Sequence, residues 1–181
     1  MSEPSPRLRQ SELSKVFLSA LGEAVLSHDA LDTKPLEVDL GLPHPMRTRV
    51  YLYNATYPPG GRTLGERKIQ LIVPNQPRGQ RGDLDHSGGR IVLLVGYEED
   101  VKVFVLWDAG IYRNFSYSMN VQVNAETIFS AFAGQIAEQR RIRRTPVTTV
   151  ETVVCTRYDR LVEAISLRLR LSLDRLTGDS Q

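Results

Sequence analysis

The chain of 181 residues carries one cysteine, Cys155, and three histidines, at positions 28, 44 and 86. A lone cysteine excludes an intrachain disulfide and a cysteine-based zinc site, and the histidines show no paired ligand spacing. The expectation is therefore no metal and no cofactor. No apolar run approaches the ~18 residues of a membrane span, which argues against a membrane partner. The opening MSEPSPRLRQSELSK has no apolar stretch of signal-peptide type, which points to a cytoplasmic protein. A serine elbow, a phosphate-binding glycine loop, a metalloprotease helix signature and internal repeats are all missing. What is present, 41% hydrophobic and 24% charged residues, is ordinary globular composition. The length suits one domain over 1–181 with an ample core.

Patterning predicts the elements. Residues 1–10 read as a disordered leader. Ser11 is a plausible N-cap for a helix over 11–26, in which Leu13, Val16, Phe17, Ala20, Leu21 and Val25 recur at helical spacing. A proline-bearing connection follows. Strands are expected at 49–56, 68–74, 90–98, 101–109, 119–123 and 148–156, with Glu99-Asp100 as a hairpin signal. The near-continuous apolar runs at 90–98 and 101–109 suggest central strands buried on both sides. Asn124 caps a predicted helix over 125–141 through the stripe Ile128, Phe129, Phe132, Ile136 and Ala137. In 159–176, Leu161, Ile165, Leu169 and Leu173 fit a helix, although Ile165 to Leu173 also alternate with period two; length favours the helix. The expected class is α+β: a curved antiparallel sheet or partial β-barrel core at 45–156, flanked by N- and C-terminal helices.

Charge is distributed unevenly. Residues 57–90 hold six Lys/Arg against three Asp/Glu, while the whole chain is only +2. Much of that charge lies in Gly/Pro-rich stretches, where a backbone can approach a ligand closely and arginine forks match phosphate oxygens. Residues 91–137 carry two basic against five acidic side chains, and 138–144 (EQRRIRR) four against one. Such segregation suits a polyanion, nucleic acid foremost. Arginines at the end of a helix would equally complement its dipole.

Other constellations are less specific. Glu66-Arg67-Lys68 is an E-x-K triplet at a strand entry. With Asp39 upstream it could form a Mg²⁺-dependent nuclease site of PD-(D/E)xK type, or simply a salt-bridged strand end. Asp83 and Asp85 suit turn formation. The loop 112–120, with Arg113, Asn114, Tyr117 and Ser118, holds side chains that bond phosphates and stack on bases, or that close a sheet end. Trp107 and Cys155 lie in apolar strands and read as core.

The motifs TYPPGGR, GERKIQL, RGQRGDLDHSGGR, LLVGY, VFVLWDA and FSYSMNVQV together resemble the DNA-recognition domains of modification-dependent (type IV) restriction endonucleases. They are most similar to the sulfur-binding domain, which reads phosphorothioated DNA. The resemblance spans roughly residues 44–140. It implies a non-catalytic module that binds modified double-stranded DNA. Tyr57, Pro58 and Pro59 would line a sulfur pocket, with His44 and Pro45 as a second ring pair. Arg62, Arg78, Gln80, Arg81 and His86 would reach phosphates or base edges, with Arg113, Asn114, Tyr117 and Ser118 as a second contact. YPPGG would also form a plain turn on composition alone. A reader of 5-methylcytosine is an alternative, needing an aromatic pocket for a flipped base. Family enzymes attach a nuclease, and no such module is evident here. The chain reads as an excised domain, a stand-alone reader, or a subunit that recruits a nuclease.

Overall fold

The computed structural model describes residues 5–57, 65–144 and 147–178. Helix α1 (Gln10–Leu21) buries Leu13, Phe17 and Leu21, four residues apart, and Gly22 at φ 55° ends it. Strands β1 (Val25–His28) and β2 (Leu36–Leu40) follow, then β3 (Met46–Asn54) and β4 (Glu66–Leu71). The next elements are β5 (Ile91–Glu98), β6 (Val103–Trp107), β7 (Met119–Asn124) and helix α2 (Ala125–Phe132). Strands β8 (Ala137–Arg143) and β9 (Thr149–Arg157) lead into α3 (Leu161–Thr177). The class is α+β.

Seven strands form one sheet in the order β1-β2-β3-β5-β6-β9-β8, and β4 pairs with β7 in a separate ribbon. All pairings are antiparallel except β3 with β5, which is parallel. That departure from a wholly antiparallel sheet arises because β4 leaves the sheet to pair with β7, so the chain crosses over before it returns as β5. No barrel closes among the described residues, since β1 and β8 are the sheet's two ends.

The sheet is covered on both faces. Phe17, Leu52, Phe104, Leu106 and Leu161 form the core beneath α1 and α3. Tyr51, Ile69, Leu94, Trp107, Val121 and Ile128 form the other, beneath the ribbon and α2. Two-sided burial explains why β5 and β6 read as continuous apolar runs rather than alternating ones. Each fully buried large side chain contributes about 1.5–3 kcal/mol. Trp107 is 1% exposed, and its Nε1 donates to the Gln122 carbonyl at 3.0 Å, tying sheet to ribbon. Gly96 makes room for it: a Cβ there would lie 2.9 Å from the Trp107 ring. Cys155 is fully buried, and burial pushes its thiol pKa far up.

Several local expectations are corrected. Residues 5–9 are docked, not a loose leader. The Leu8 amide donates to Asn54 Oδ1 at 2.8 Å, Asn54 Nδ2 donates back to the Leu8 carbonyl at 2.9 Å, and Ser5 Oγ accepts from the Tyr57 amide at 2.8 Å. Arg9, not Ser11, caps α1, its amide donating to Glu12 Oε2 at 2.7 Å. The predicted helix 11–26 stops five residues early because Val25–His28 pair with β2, itself placed in the supposed connection. The predicted helix 125–141 ends at Phe132. Gly134 adopts φ 108° and residues 137–143 become the edge strand β8, leaving Phe129 and Phe132 about half exposed. The C-terminal segment is helical, with Leu161, Ala164, Ile165 and Arg168 buried on one face. Among the described residues no helix is long and apolar enough to cross a membrane.

Candidate nucleic-acid interface

The two segments expected to contact nucleic acid, 75–90 and 112–120, meet in one surface through the loop 111–118 that precedes β7. Gly82 and Phe115 exchange both backbone hydrogen bonds at 2.9 Å. Arg81 Nε donates to the Asn114 carbonyl at 2.7 Å, and Asp83 Oδ1 accepts from the Asn114 amide at 2.6 Å. Leu84, Tyr112 and Phe115, each no more than 3% exposed, anchor the joined loops in the core. The far end of 75–90 is pinned by the buried Arg49, whose Nη1 donates to the carbonyls of Asp85 and Ser87, both at 2.8 Å. Tyr51 Oη accepts from the Asp85 amide at 2.9 Å. The surface is therefore held from below by strand residues.

Arg78, Gln80, Arg81, Arg113 and Asn114 are exposed on this face, with His86 half-buried beside them. The two acids of the loop are engaged in its scaffold. Asp83 holds Asn114, and Asp85 Oδ1 accepts from the Ser87 amide at 2.9 Å and hydroxyl at 2.6 Å, which lowers its pKa. Burial, followed by the neighbouring Arg113 charge, pushes His86 below the usual imidazole value, and its Nε2 has no partner among the described residues. Asn75, Asn114 and Ser118 have φ of 65°, 46° and 59°, three of the four described non-glycine residues with positive φ. Backbone strain of this kind persists only where surrounding contacts over-determine it, and it concentrates at functional surfaces. Tyr117 and Ser118 are half-buried where the loop enters β7.

The structure removes much of the basic charge counted in the sequence. Arg67 pairs with Glu98 at 3.0 Å, both almost fully buried. Lys68 Nζ donates to Asn120 Oδ1 at 3.0 Å, and Arg90 pairs with Glu37 and Asp39, each at 2.9 Å. Arg78 and Arg81 remain exposed, and Arg62 lies outside the described residues. In β8, alternation sends Arg140 to solvent and turns Arg141 and Arg143 toward the core. Arg141 donates to the Gln122 carbonyl, and the Arg143 guanidinium sits 4.4 Å from the Tyr112 ring centroid. The expected helix-end cluster at 138–144 is thus half internal.

Beneath the 108–118 loop lies a buried polar network that sequence reading missed. Tyr112 Oη donates to Glu151, 2.9 and 2.7 Å from its two oxygens. Asp108 pairs with Arg175 at 2.6 Å and with Arg168 at 3.7 Å on α3. Burial raises the pKa of Glu151 and lowers that of Arg168. Its contacting partners, such as Tyr112 with Glu151 and Asp108 with Arg175, are 39 and 67 positions apart, so no local spacing could reveal it.

Tyr57 stacks against Arg67, whose guanidinium is 3.9 Å from the tyrosine ring centroid and 5.9 Å from that of Phe129. Phe129 borders an open depression lined also by Gly65, Ala125, Ala133 and Gln135. This ring–guanidinium–ring group lies at the Glu66 end of the β4–β7 ribbon, and the joined loops lie at the other end. In the sequence Phe129 belongs to the apolar stripe of the helix after Asn124, and nothing in that pattern distinguishes it. Pro58 and Pro59 lie outside the described residues. His44 and Pro45 are exposed before the start of β3, and Tyr57 follows its end. Nine strand residues at ~3.3 Å each separate them, so the structure does not bring the two ring groups together. The same ruler separates the nuclease candidates. Asp39 pairs in register with Arg47 at the start of β3, whereas Lys68 bridges to Thr56 beyond its end, with Glu66 two residues away. Among the described residues no three His, Cys, Asp or Glu side chains gather as a metal site.

The family model described as Methylase-associated X1 matches residues 46–165, from the start of β3 into α3. No curated protein and no solved structure matches the chain.

Proposed function

Because the chain belongs to the Methylase-associated X1 family, we propose that it is a double-stranded-DNA-binding module serving DNA modification or restriction. The observation that carries this reading is the joining of the 75–90 and 111–118 loops into one pinned surface. That surface presents Arg78, Arg81 and Arg113 while its acids are engaged internally. Exposed arginines on a rigid base give salt-dependent contact with phosphates, and Gln80 and Asn114 add hydrogen-bonding groups suited to base edges. Arg140 and Arg144 are further exposed cations at the edge strand β8, turned away from the side that Arg141 and Arg143 face.

Discrimination of modified DNA falls, in this reading, to the exposed rings of Tyr57 and Phe129, which the buried Arg67 guanidinium supports from behind. Exposed aromatic rings are a soft, apolar surface of the kind a phosphorothioate sulfur prefers, and this favours backbone sulfur as the mark. The family's association with methylases favours a methylated base instead. A competition gel shift over a salt series, with unmodified, phosphorothioated and 5-methylcytosine duplexes, tests both levels. Steep salt-dependent binding of any duplex supports the module, and the preferred competitor identifies the mark. No binding even at low salt refutes DNA binding altogether. A nuclease or methylase partner, as separate subunit or fused domain, would supply the chemistry.

A further inference from the structure

A cavity of about 210 Å³ lies between the docked N-terminal segment, the start of α1, Lys34 and the end of β3, and shares no residue with the joined loop face. Its polar wall is made by Arg7, Gln10, Lys34, Asn54, Thr56 and Gln70; none of its described lining residues is acidic. Two of these are cations, and Lys68, on the same ribbon strand as Gln70, is near enough to Arg7 for their charges to repel. The Lys34 ammonium lies 3.6 Å from the Tyr53 ring centroid, a weak substitute for an anion. Burial, with no compensating carboxylate, lowers the Lys34 pKa to about 8. Gln10 Nε2 is buried and has no hydrogen-bond partner among the described residues.

Two of the polar groups in the wall are already used. Tyr53 Oη donates to the Ile72 carbonyl at 2.9 Å, and the Asn54 side chain is engaged at both ends by the Leu8 backbone. A half-buried lysine with no carboxylate beside it is unfavourable unless something negative visits. At ~30 Å³ per water the cavity has room for roughly seven waters, enough for a tetrahedral oxyanion with part of its hydration.

We propose that this cavity is a binding site for a phosphate-class oxyanion, held by Lys34 and Arg7 with the Gln10 amide as a further donor. The phosphate comes either free from solution or from the end of a nucleic-acid strand; both present the same dianionic group. The proposal stands independently of the duplex-binding face.

The test is thermal unfolding in sodium phosphate against sodium chloride at matched ionic strength, for the wild type, Lys34→Met and Arg7→Ala. Methionine keeps the stem and the contact with Tyr53 but removes the charge. The expected result is a phosphate-specific rise in Tm for the wild type that Lys34→Met abolishes and Arg7→Ala reduces. In chloride, Lys34→Met should melt higher than the wild type, because an unneutralised buried charge has gone. Titration with a short 5′-phosphorylated single strand against its 5′-hydroxyl twin identifies the source. At least tenfold tighter binding of the phosphorylated strand, lost in Lys34→Met, assigns a strand end, and equal binding with the Tm effect retained assigns free phosphate. An identical phosphate shift in wild type and Lys34→Met, with no preference for the phosphorylated strand, overturns the proposal.

Discussion

Two arginine-rich regions of this protein look alike in sequence and differ in the fold. The loop 75–90 keeps Arg78 and Arg81 on the surface, and its acids are occupied by its own backbone and by Asn114. The strand β8 turns Arg141 and Arg143 inward, one onto a carbonyl and the other onto the Tyr112 ring. One region leaves its guanidinium groups open to solvent; the other holds the underside of the neighbouring loop in place. The local charge total is the same kind of number in both, yet only the pairing of each guanidinium decides whether its field reaches solvent.

The largest expected effect tests the structural half. Asp108→Ala leaves Arg168 buried without its carboxylate and frees Arg175, so urea unfolding should show a loss of about 3–5 kcal/mol. A loss under 1 kcal/mol would mean that the network beneath the loop is not holding it. Next, Arg143→Leu should lower stability by about 1–2 kcal/mol through its stacked, part-buried guanidinium, while leaving the salt dependence of DNA binding unchanged. Arg78→Ala should do the reverse. Stability should stay within about 0.5 kcal/mol, while the slope of log K against log salt becomes shallower by roughly one. If both variants altered the slope equally, the division between the two regions would fail.

The smallest effect concerns His86. Its folded pKa lies below the unfolded value, so the unfolded chain binds more protons in that window. The stabilising share of a neutral His86 is complete above the ordinary imidazole value and is lost as pH falls toward the folded pKa. Imidazole NMR titration should show this depressed value. Arg113→Ala should move it part of the way back, since burial is the larger cause and the Arg113 charge the second. An unchanged titration would separate Arg113 from the joined face.

Much of the architecture was legible locally. Period-two and continuous apolar runs marked β3, β5, β6, β7 and β9, and the four-residue spacing of Leu13, Phe17 and Leu21 marked α1. Trp107 and Cys155 were readable as core because they sit in unbroken apolar runs. What misled were segments whose partners are distant. Val25–His28 and Leu36–Leu40 are short and partly polar, and they become strands only because each completes the other's hydrogen bonds beside β3. The arginines of 137–143 look like a helix end until β9 offers them a ladder. In the candidate interface, the types Arg, Gln, Asn and His could be named in advance. That 75–90 and 111–118 are one surface could not, because Gly82 and Phe115 meet across 33 positions of chain.

The sequence by itself determined the class of this protein: two apolar faces on β-rich segments, no cysteine framework, and basic loops rich in glycine. Those follow from side-chain periodicity and composition, which act over a few residues. Tertiary structure alone decided which arginines remain charged toward solvent and that Tyr57 meets Arg67 rather than His44. It also left Lys34 facing a cavity with no carboxylate on its described wall. Each of those outcomes depends on electrostatic and packing partners that the chain brings together only after it has folded.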